Sequence, residues 1–392
     1  MTIVMTGAGS GGHITPIQAV AAELKKLKPK AHIVYIGQRG DALGDIPAAD
    51  PNFDQIVTVR AGKFRRYHGE GLRQLLDIKT GLKNIRDVFY VIIGIWQSYR
   101  YLEKNRPDVI FIKGGYVGVP VGLAAAALHI PFITHDSDAI PGLANRIIGR
   151  WAKVHAVALP KEIYSYPADQ TITTGIPLVG AYSLVTLALK LRYREEIKIS
   201  PRQKMIFIIG GGLGSQIINL AISETIPHLL NEFKDLIIIH GVGRAHEERM
   251  TKLYQDIIPA SEQGRVRVYG YLSDLYRYSG AADVVITRAG ATNVAEFAVQ
   301  GKACVVIPSP FLAGGHQLKN AKILADRGAA LVIDESELAG DPNRLAKQVS
   351  SLLKDTARQK ALGEQLATLA KPEAAYNLTM VLLDVVAASA AQ

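Results

Sequence analysis

Three small-residue turns in this chain stand where a strand-like run gives way to a helix-like one, and each could hold a phosphate. The first is Gly7-Ala8-Gly9-Ser10-Gly11-Gly12-His13, directly after Thr2-Ile3-Val4-Met5. The second is Gly210-Gly211-Gly212-Leu213-Gly214-Ser215, after Met205 to Ile209. The third is Arg288-Ala289-Gly290-Ala291-Thr292-Asn293, after a strand expected to end at Thr287. Glycine lets the backbone turn tightly and come close to a ligand, and the first amides of the helix that follows attract an anion. Each turn could equally serve only to bring helix and strand close together.

The neighbouring side chains suggest what chemistry such sites would support. His13 carries the one side chain whose ordinary pKa suits a general base near neutrality; Asp138 or Asp136 is the alternative base. Glu296, expected on the first turn of the third helix, could accept two hydrogen bonds from a ribose diol, or could merely favour the helix dipole. Gln317 and Asn320, in the stretch Gly314 to Asn320, could read sugar hydroxyls. Other nucleotide chemistries fit poorly. A dinucleotide site needs an acidic residue at the end of the next strand, and the second strands end in Ile36-Gly37-Gln38 and Ile239-His240-Gly241. No glycine turn is followed by the Lys-Ser/Thr pair of a P-loop. Asp136-Ser137-Asp138 spells an Asp-x-Asp pattern that could hold Mg or Mn, but the diphosphate site at Ala291 to Asn293 needs no metal, so no cofactor is expected. His240, His246 and Glu247 lack a consistent metal-ligand spacing.

The elements that must position these residues follow from periodicity. Continuous apolar runs at Ile3–Met5, Ile33–Ile36, Val109–Ile112 and Phe132–Thr134, then at Met205–Ile209, Leu236–Ile239, Val266–Val268, Val284–Ile286 and Cys304–Ile307, alternate with helix-period stretches. Strands buried on both faces mean parallel sheets covered by helices. At 392 residues the chain is long enough for two such domains. The expected division is residues 1–180 and 181–373, with the helix-like stretch from Ala374 free to join either half. A hydrophobic content of 48% against 20% charged residues is that of a folded protein. The single cysteine, Cys304, excludes an internal disulfide, and a strand-like start replaces a signal segment, so a cytoplasmic location is expected.

The net charge of +10 points to an anionic partner. Between Arg60 and Arg106 basic residues outnumber acidic ones around the apolar run Val88 to Trp96, which is too short to cross a bilayer. This suits attachment to an anionic membrane surface, and suits equally a buried helix with a solvated basic flank. The basic residues lack the interleaved aromatics of a nucleic-acid platform, so no nucleic-acid partner is expected.

Taken together these motifs resemble the MurG family over nearly the whole chain. Gly9-Ser10-Gly11-Gly12-His13-Ile14-Thr15-Pro16 and Lys113-Gly114-Gly115-Tyr116-Val117-Gly118-Val119-Pro120 are similar to its two N-terminal glycine loops. Ile130 to His135 and Ile140 to Arg146 resemble its acceptor-side loop and helix, and Gly210–Asn219, Arg288–Glu296 and His316–Ala321 its nucleotide-sugar site. The resemblance implies a GT-B fold, two Rossmann-like α/β domains facing a cleft, and inverting transfer of N-acetylglucosamine from UDP-N-acetylglucosamine to a polyprenyl-diphosphate-linked muramyl acceptor at the inner face of the bacterial membrane. It implies acceptor contacts from Gly11, Gly12, Gly115, Tyr116 and His135. It further implies nucleotide-sugar contacts from Gly211, Gly212, Arg288, Ala291, Thr292, Asn293, Glu296, Gln317 and Asn320. The family usually has His-Glu-Gln-Asn where this chain has His135-Asp136-Ser137-Asp138, so the acceptor could differ. A related transferase with another lipid acceptor, a UDP-N-acetylglucosamine 2-epimerase and a non-catalytic nucleotide-sugar-binding subunit remain alternatives.

Overall fold

The computed structural model describes residues 1–390 apart from 8, 10, 64–77, 311–314 and 342. Ala8, Ser10, Gly314 and, in the basic segment, Arg65, Arg66, Glu70, Arg73 and Asp77 therefore lie outside the described residues. The chain forms two compact units. Met1–Gly180 and Lys371–Gln392 belong to one, and Ala181–Pro310 and Gln317–Ala370 to the other.

The first unit is built on seven strands: β1 (Thr2–Thr6), β2 (His32–Gln38), β3 (Gln55–Val59), β4 (Val109–Ile112), β5 (Phe132–Asp136), β6 (Val154–Val157) and β7 (Thr171–Thr173). They lie in the order β3-β2-β1-β4-β5-β6-β7, and every pairing is parallel. β4 is wholly apolar and β1 is apolar over Ile3–Met5, and both stretches are buried, which is why the sequence shows runs there and not alternation. One face packs Ile17, Val20 and Leu24 of the Gly11–Leu27 helix together with Leu378 and Leu382 of the Ala374–Ala390 helix. The C-terminal helix thus joins the first unit, because its apolar stripe completes that core.

The second unit repeats the plan with β8 (Lys204–Ile209), β9 (Leu236–Gly241), β10 (Val266–Tyr269), β11 (Val284–Thr287), β12 (Cys304–Val306) and β13 (Leu331–Val332). Their order is β10-β9-β8-β11-β12-β13, again all parallel. In each sheet the chain order reverses at the first strand, between β1 and β4 and between β8 and β11. A doubly wound sheet binds ligands just beyond the carboxyl ends of the strands at such a point. The Gly7 and Lys113 loops leave the first switch point, and the Gly210 and Arg288 loops leave the second.

Candidate functional site

At the first switch point the Gly11–Leu27 helix begins earlier than the expected Pro16, so His13 sits on its opening turn. Gly9 has φ +87°, and a Cβ there would come within 2.6 Å of the Tyr116 ring. The Gly9 amide donates to Asp41 Oδ2 at 3.1 Å, which spends one turn amide on a protein carboxylate. A Cβ at Gly11 would meet nothing within 4 Å, so Gly11 borders open space beside Gly12. The Tyr116 hydroxyl donates to Gln38 Oε1, and the Tyr35 hydroxyl donates to the Gly7 carbonyl, fixing the turn from the β2 side.

The β4 loop closes on the same space. Gly114 and Gly115 both have positive φ, +107° and +76°, and a Cβ at Gly114 would lie 3.6–3.7 Å from the Asn145 amide and 3.7 Å from His13 Cε1. His13 Nδ1 and Asn145 Oδ1 are buried without a hydrogen-bond partner among the described residues. Burial, reinforced by the positive charge of Lys113, pushes His13 down to about 3, so the ring is neutral. Asn145, held by its amide donating to the His135 carbonyl at 2.9 Å, is a site residue for which sequence reasoning had no role. It falls inside the Ile140–Arg146 stretch that resembles the family's acceptor-side helix, but nothing in that stretch singled it out.

His135 is placed differently from what the resemblance implies. It is fully buried on β5, and its Nε2 donates to the Gly175 carbonyl at 2.8 Å. Because a carbonyl only accepts, the proton is on Nε2 and the ring tethers β5 to the segment leaving the sheet. It presents no surface to a ligand. Asp136 is likewise committed: its carboxylate accepts from the Gly142 amide at 2.9 Å and from the Tyr166 hydroxyl at 2.8 Å. Both oxygens thus have protein donors, which leaves the Asp136-Ser137-Asp138 stretch poorly suited to gripping a cation. His240 is also structural, buried with Nδ1 2.7 Å from the Tyr254 hydroxyl.

The second switch point is built from backbone and one arginine. Gly211 and Gly214 have φ +99° and +77°, and a Cβ at Gly214 would strike the Val242 carbonyl oxygen at 2.0 Å. Gly212 lies between them in the turn. Ser215 caps the Gln216–Glu232 helix, its Oγ accepting from the Ile218 amide. The same Oγ accepts from Arg288 Nη2 at 2.7 Å, while Arg288 Nη1 reaches the Ile307 carbonyl at 3.1 Å and pairs with the buried Glu335. Arg288 therefore braces the two loops against each other.

Ala291, Thr292 and Asn293 form the opening turn of the Ala291–Gln300 helix, whose N-cap is Gly290. Glu296 falls on the second turn, one turn deeper than expected, which removes it from the dipole's reach and buries it. Burial lifts it to about 8, opposed by a hydrogen bond from Tyr182. Burial therefore favours the protonated form of Glu296 at neutral pH. Asn320 donates to the Ala289 carbonyl at 3.0 Å, and Gln317 Oε1 accepts from the Ser309 amide at 2.9 Å. A Cβ at Gly290 would lie 4.0 Å from Gln317 Nε2, so Gln317, Asn320 and the Arg288 turn converge.

Two all-parallel doubly wound units, each with glycine-bearing loops at its switch point, define the GT-B class. The sequence matches the glycosyltransferase family 28 N-terminal domain over residues 3–157 and its C-terminal domain over residues 205–378. It is 31% identical over 97% of the chain, and 98% of the relative, to UDP-N-acetylglucosamine–N-acetylmuramyl-(pentapeptide) pyrophosphoryl-undecaprenol N-acetylglucosamine transferase 1 of Bacillus cereus. The corresponding transferase of Natranaerobius thermophilus is 33% identical over 97% of this chain and 99% of its own. The crystal structure of Acinetobacter baumannii MurG superposes with a TM-score of 0.68 at 26% identity, covering 98% of this chain and 99% of that one. UDP-GlcNAc 2-epimerase from Neisseria meningitidis reaches a TM-score of 0.68 at 15% identity over 98% of this chain and all of that one, a likeness of fold alone. The chain belongs to the MurG family of glycosyltransferases.

Proposed function

We propose that this protein transfers N-acetylglucosamine from UDP-N-acetylglucosamine to N-acetylmuramyl-(pentapeptide) pyrophosphoryl-undecaprenol, with inversion at the anomeric carbon. The observation that carries this reading is full-length identity above 30% to transferases of that name, with the glycine loops in place at both switch points. In this reading the second unit holds the donor. The Ala291–Asn293 helix end and the Gly211–Gly212 turn take the diphosphate, Glu296 the ribose, and Gln317 and Asn320 the sugar. The first unit takes the acceptor diphosphate between Gly11, Gly12, Gly115 and Tyr116. His13 removes the proton from the attacking hydroxyl, the new bond forms from that oxygen to the anomeric carbon, and UDP departs with the bonding pair. His13 meets the first requirement of a base by being neutral, and the negative charge of a bound diphosphate would raise its basicity. Asp138 is the alternative acceptor of that proton. No metal is needed, since helix amides supply the charge stabilisation.

The Ile78–Asn105 helix supports docking at the inner membrane surface. Ile85, Phe89, Ile92 and Trp96 follow helical spacing and are exposed, Phe89 at 61% and Trp96 at 62%, so this face is not the buried core helix that the sequence also allowed. Lys83, Arg86, Arg100 and Lys104 share the helix. Among the described residues no helix is long and apolar enough to cross a membrane. The test is purified protein with UDP-N-acetylglucosamine, the undecaprenyl acceptor and a chelator, following UDP release and glycolipid product. Product formed in chelator supports the reading; UDP-N-acetylglucosamine consumed without UDP release, as an epimerase would do, defeats it. Sedimentation with vesicles that is indifferent to anionic lipid would defeat the membrane assignment separately.

A further inference from the structure

The β5 loop of the first unit is held by a segment that no sequence motif marked. Asp136 ends β5, and its Oδ1 accepts from the Gly142 amide at 2.9 Å, which ties the loop's first residue to the N-cap of the Leu143–Ile148 helix. That helix carries Asn145, whose amide group borders the space shared by His13 and Gly114. The other carboxylate oxygen, Oδ2, accepts from the Tyr166 hydroxyl at 2.8 Å. Tyr166 lies between β6 and β7, 30 residues further along the chain. Its ring is fixed in turn. It stacks on His155 of β6 with centroids 3.8 Å apart and planes 1° from parallel, and His155 Nδ1 lies 2.9 Å from Thr134 Oγ1 on β5. A Cβ on Gly149 would come within 3.2 Å of His155 and 3.5 Å of the Tyr166 ring, so the missing side chain there gives the stack its room. The next two loop residues are tied down as well. Ser137 Oγ accepts from Lys113 Nζ at 2.8 Å, and the Asp138 carbonyl accepts from the Tyr164 hydroxyl at 3.0 Å. Asp136 itself is buried. A buried carboxylate oxygen deprived of its donor costs more than an ordinary lost hydrogen bond, and the loop relieves that cost by shifting.

We propose that Tyr166 is a positioning residue for the acceptor: acting through Asp136, its hydroxyl sets where the β5 loop and the Leu143–Ile148 helix present Ser137 and Asn145. Asp136 is the hinge of this arrangement, because one carboxylate joins the phenol on one side to the helix start on the other. The β5 loop is thereby oriented by the protein's own hydrogen bonds. This inference rests on the placement of the acceptor in the first unit under the proposed function.

The experiment measures steady-state kinetics and thermal melting of Tyr166→Phe, Asp136→Ala and the double variant, with the undecaprenyl acceptor and UDP-N-acetylglucosamine varied in turn. Wild-type product formation tests the underlying reading by itself, so the two can fail separately. Tyr166→Phe keeps the ring stacked on His155 and removes only the hydroxyl. It should raise the acceptor KM about three- to thirtyfold, the range of one lost hydrogen bond to a charged group. The UDP-N-acetylglucosamine KM should stay within about twofold. Asp136→Ala should raise the acceptor KM at least as far. Adding Tyr166→Phe to it should then change that KM by less than about twofold, because the hydroxyl has nothing left to hold. Effects that multiply in the double variant would show that Tyr166 acts independently of Asp136 and would overturn the proposal. A lowered melting temperature with both KM values unchanged, or a rise of both in parallel, would mark Tyr166 as a support of the fold and overturn it equally. If Asp136→Ala does not accumulate as folded protein, Tyr166→Phe decides alone, and an acceptor KM within about twofold of wild type in that variant sinks the proposal.

Discussion

The turn after β1 and the turn after β8 are the same backbone device with different surroundings. Both follow an apolar central strand, both use positive-φ glycines, and both open a helix of 17 residues at the switch point of a parallel sheet. Around the first stand buried ionisable groups, His13, Lys113 and Asp136. Around the second stand a braced arginine, two side-chain amides and one buried carboxyl. The comparison teaches that glycine geometry creates a place for an anion, while the titratable shell decides whether protons move there. Under the proposed function the first turn would take the reacting acceptor and the second the leaving group, which only has to be held.

That division can be broken most decisively at His13. His13→Ala should lower kcat by roughly a hundred- to ten-thousandfold while leaving UDP-N-acetylglucosamine affinity intact. Near-normal turnover with intact donor binding would move the base elsewhere. The next largest effect belongs to the second unit. Glu296→Gln should raise the UDP-N-acetylglucosamine KM about ten- to a hundredfold and leave the acceptor KM alone. The same residue has a pH signature. Its folded value, about 8, lies above its ordinary 4.5. Between those values the folded protein keeps a proton that the unfolded chain has released, so its stability falls as pH rises through that window. If the ribose requires the carboxylate, donor affinity rises over the same range. Calorimetry at pH 7 in buffers of different ionisation heat should then show proton release on UDP binding, absent in Glu296→Gln; no release in the wild type would contradict it.

Two glycine substitutions sharpen the comparison with smaller effects. Gly214→Ala places a methyl into the Val242 carbonyl at a positive φ. It should destabilise the second unit by about 2–4 kcal/mol, read as a lowered melting temperature. Gly11→Ala meets no protein atom within 4 Å, so stability should change by no more than about 0.5 kcal/mol. Any effect there should appear as a higher acceptor KM, and a melting shift like that of Gly214→Ala would mean the first turn is as tightly packed as the second.

The strands that organise both sites were legible because a strand buried on both faces must be apolar throughout, as in Val109–Ile112 and Met205–Ile209. Those that escaped reading lie at or near the sheet edges or carry polar residues. β3 contains Gln55 and Thr58, β6 contains His155, β7 is Thr-Ile-Thr, and β13 has two residues. Pro16 suggests a helix start at that residue, whereas the helix begins at Gly11 and carries Pro16 inside it. The burial of His135 and the commitment of Asp136 could not be read at all. Both follow from contacts to Gly175, Gly142 and Tyr166, residues far enough along the chain that no local pattern announces them.

The Ala374–Ala390 helix has a consequence for how the molecule is made. Leu378 and Leu382 fill the layer beside Ile17, Val20 and Leu24, yet a ribosome reaches them only after translating the whole second unit. The first unit is therefore synthesised early and finished last. During that interval the apolar strip of the Gly11–Leu27 helix lacks the two leucines that cover it in the finished unit.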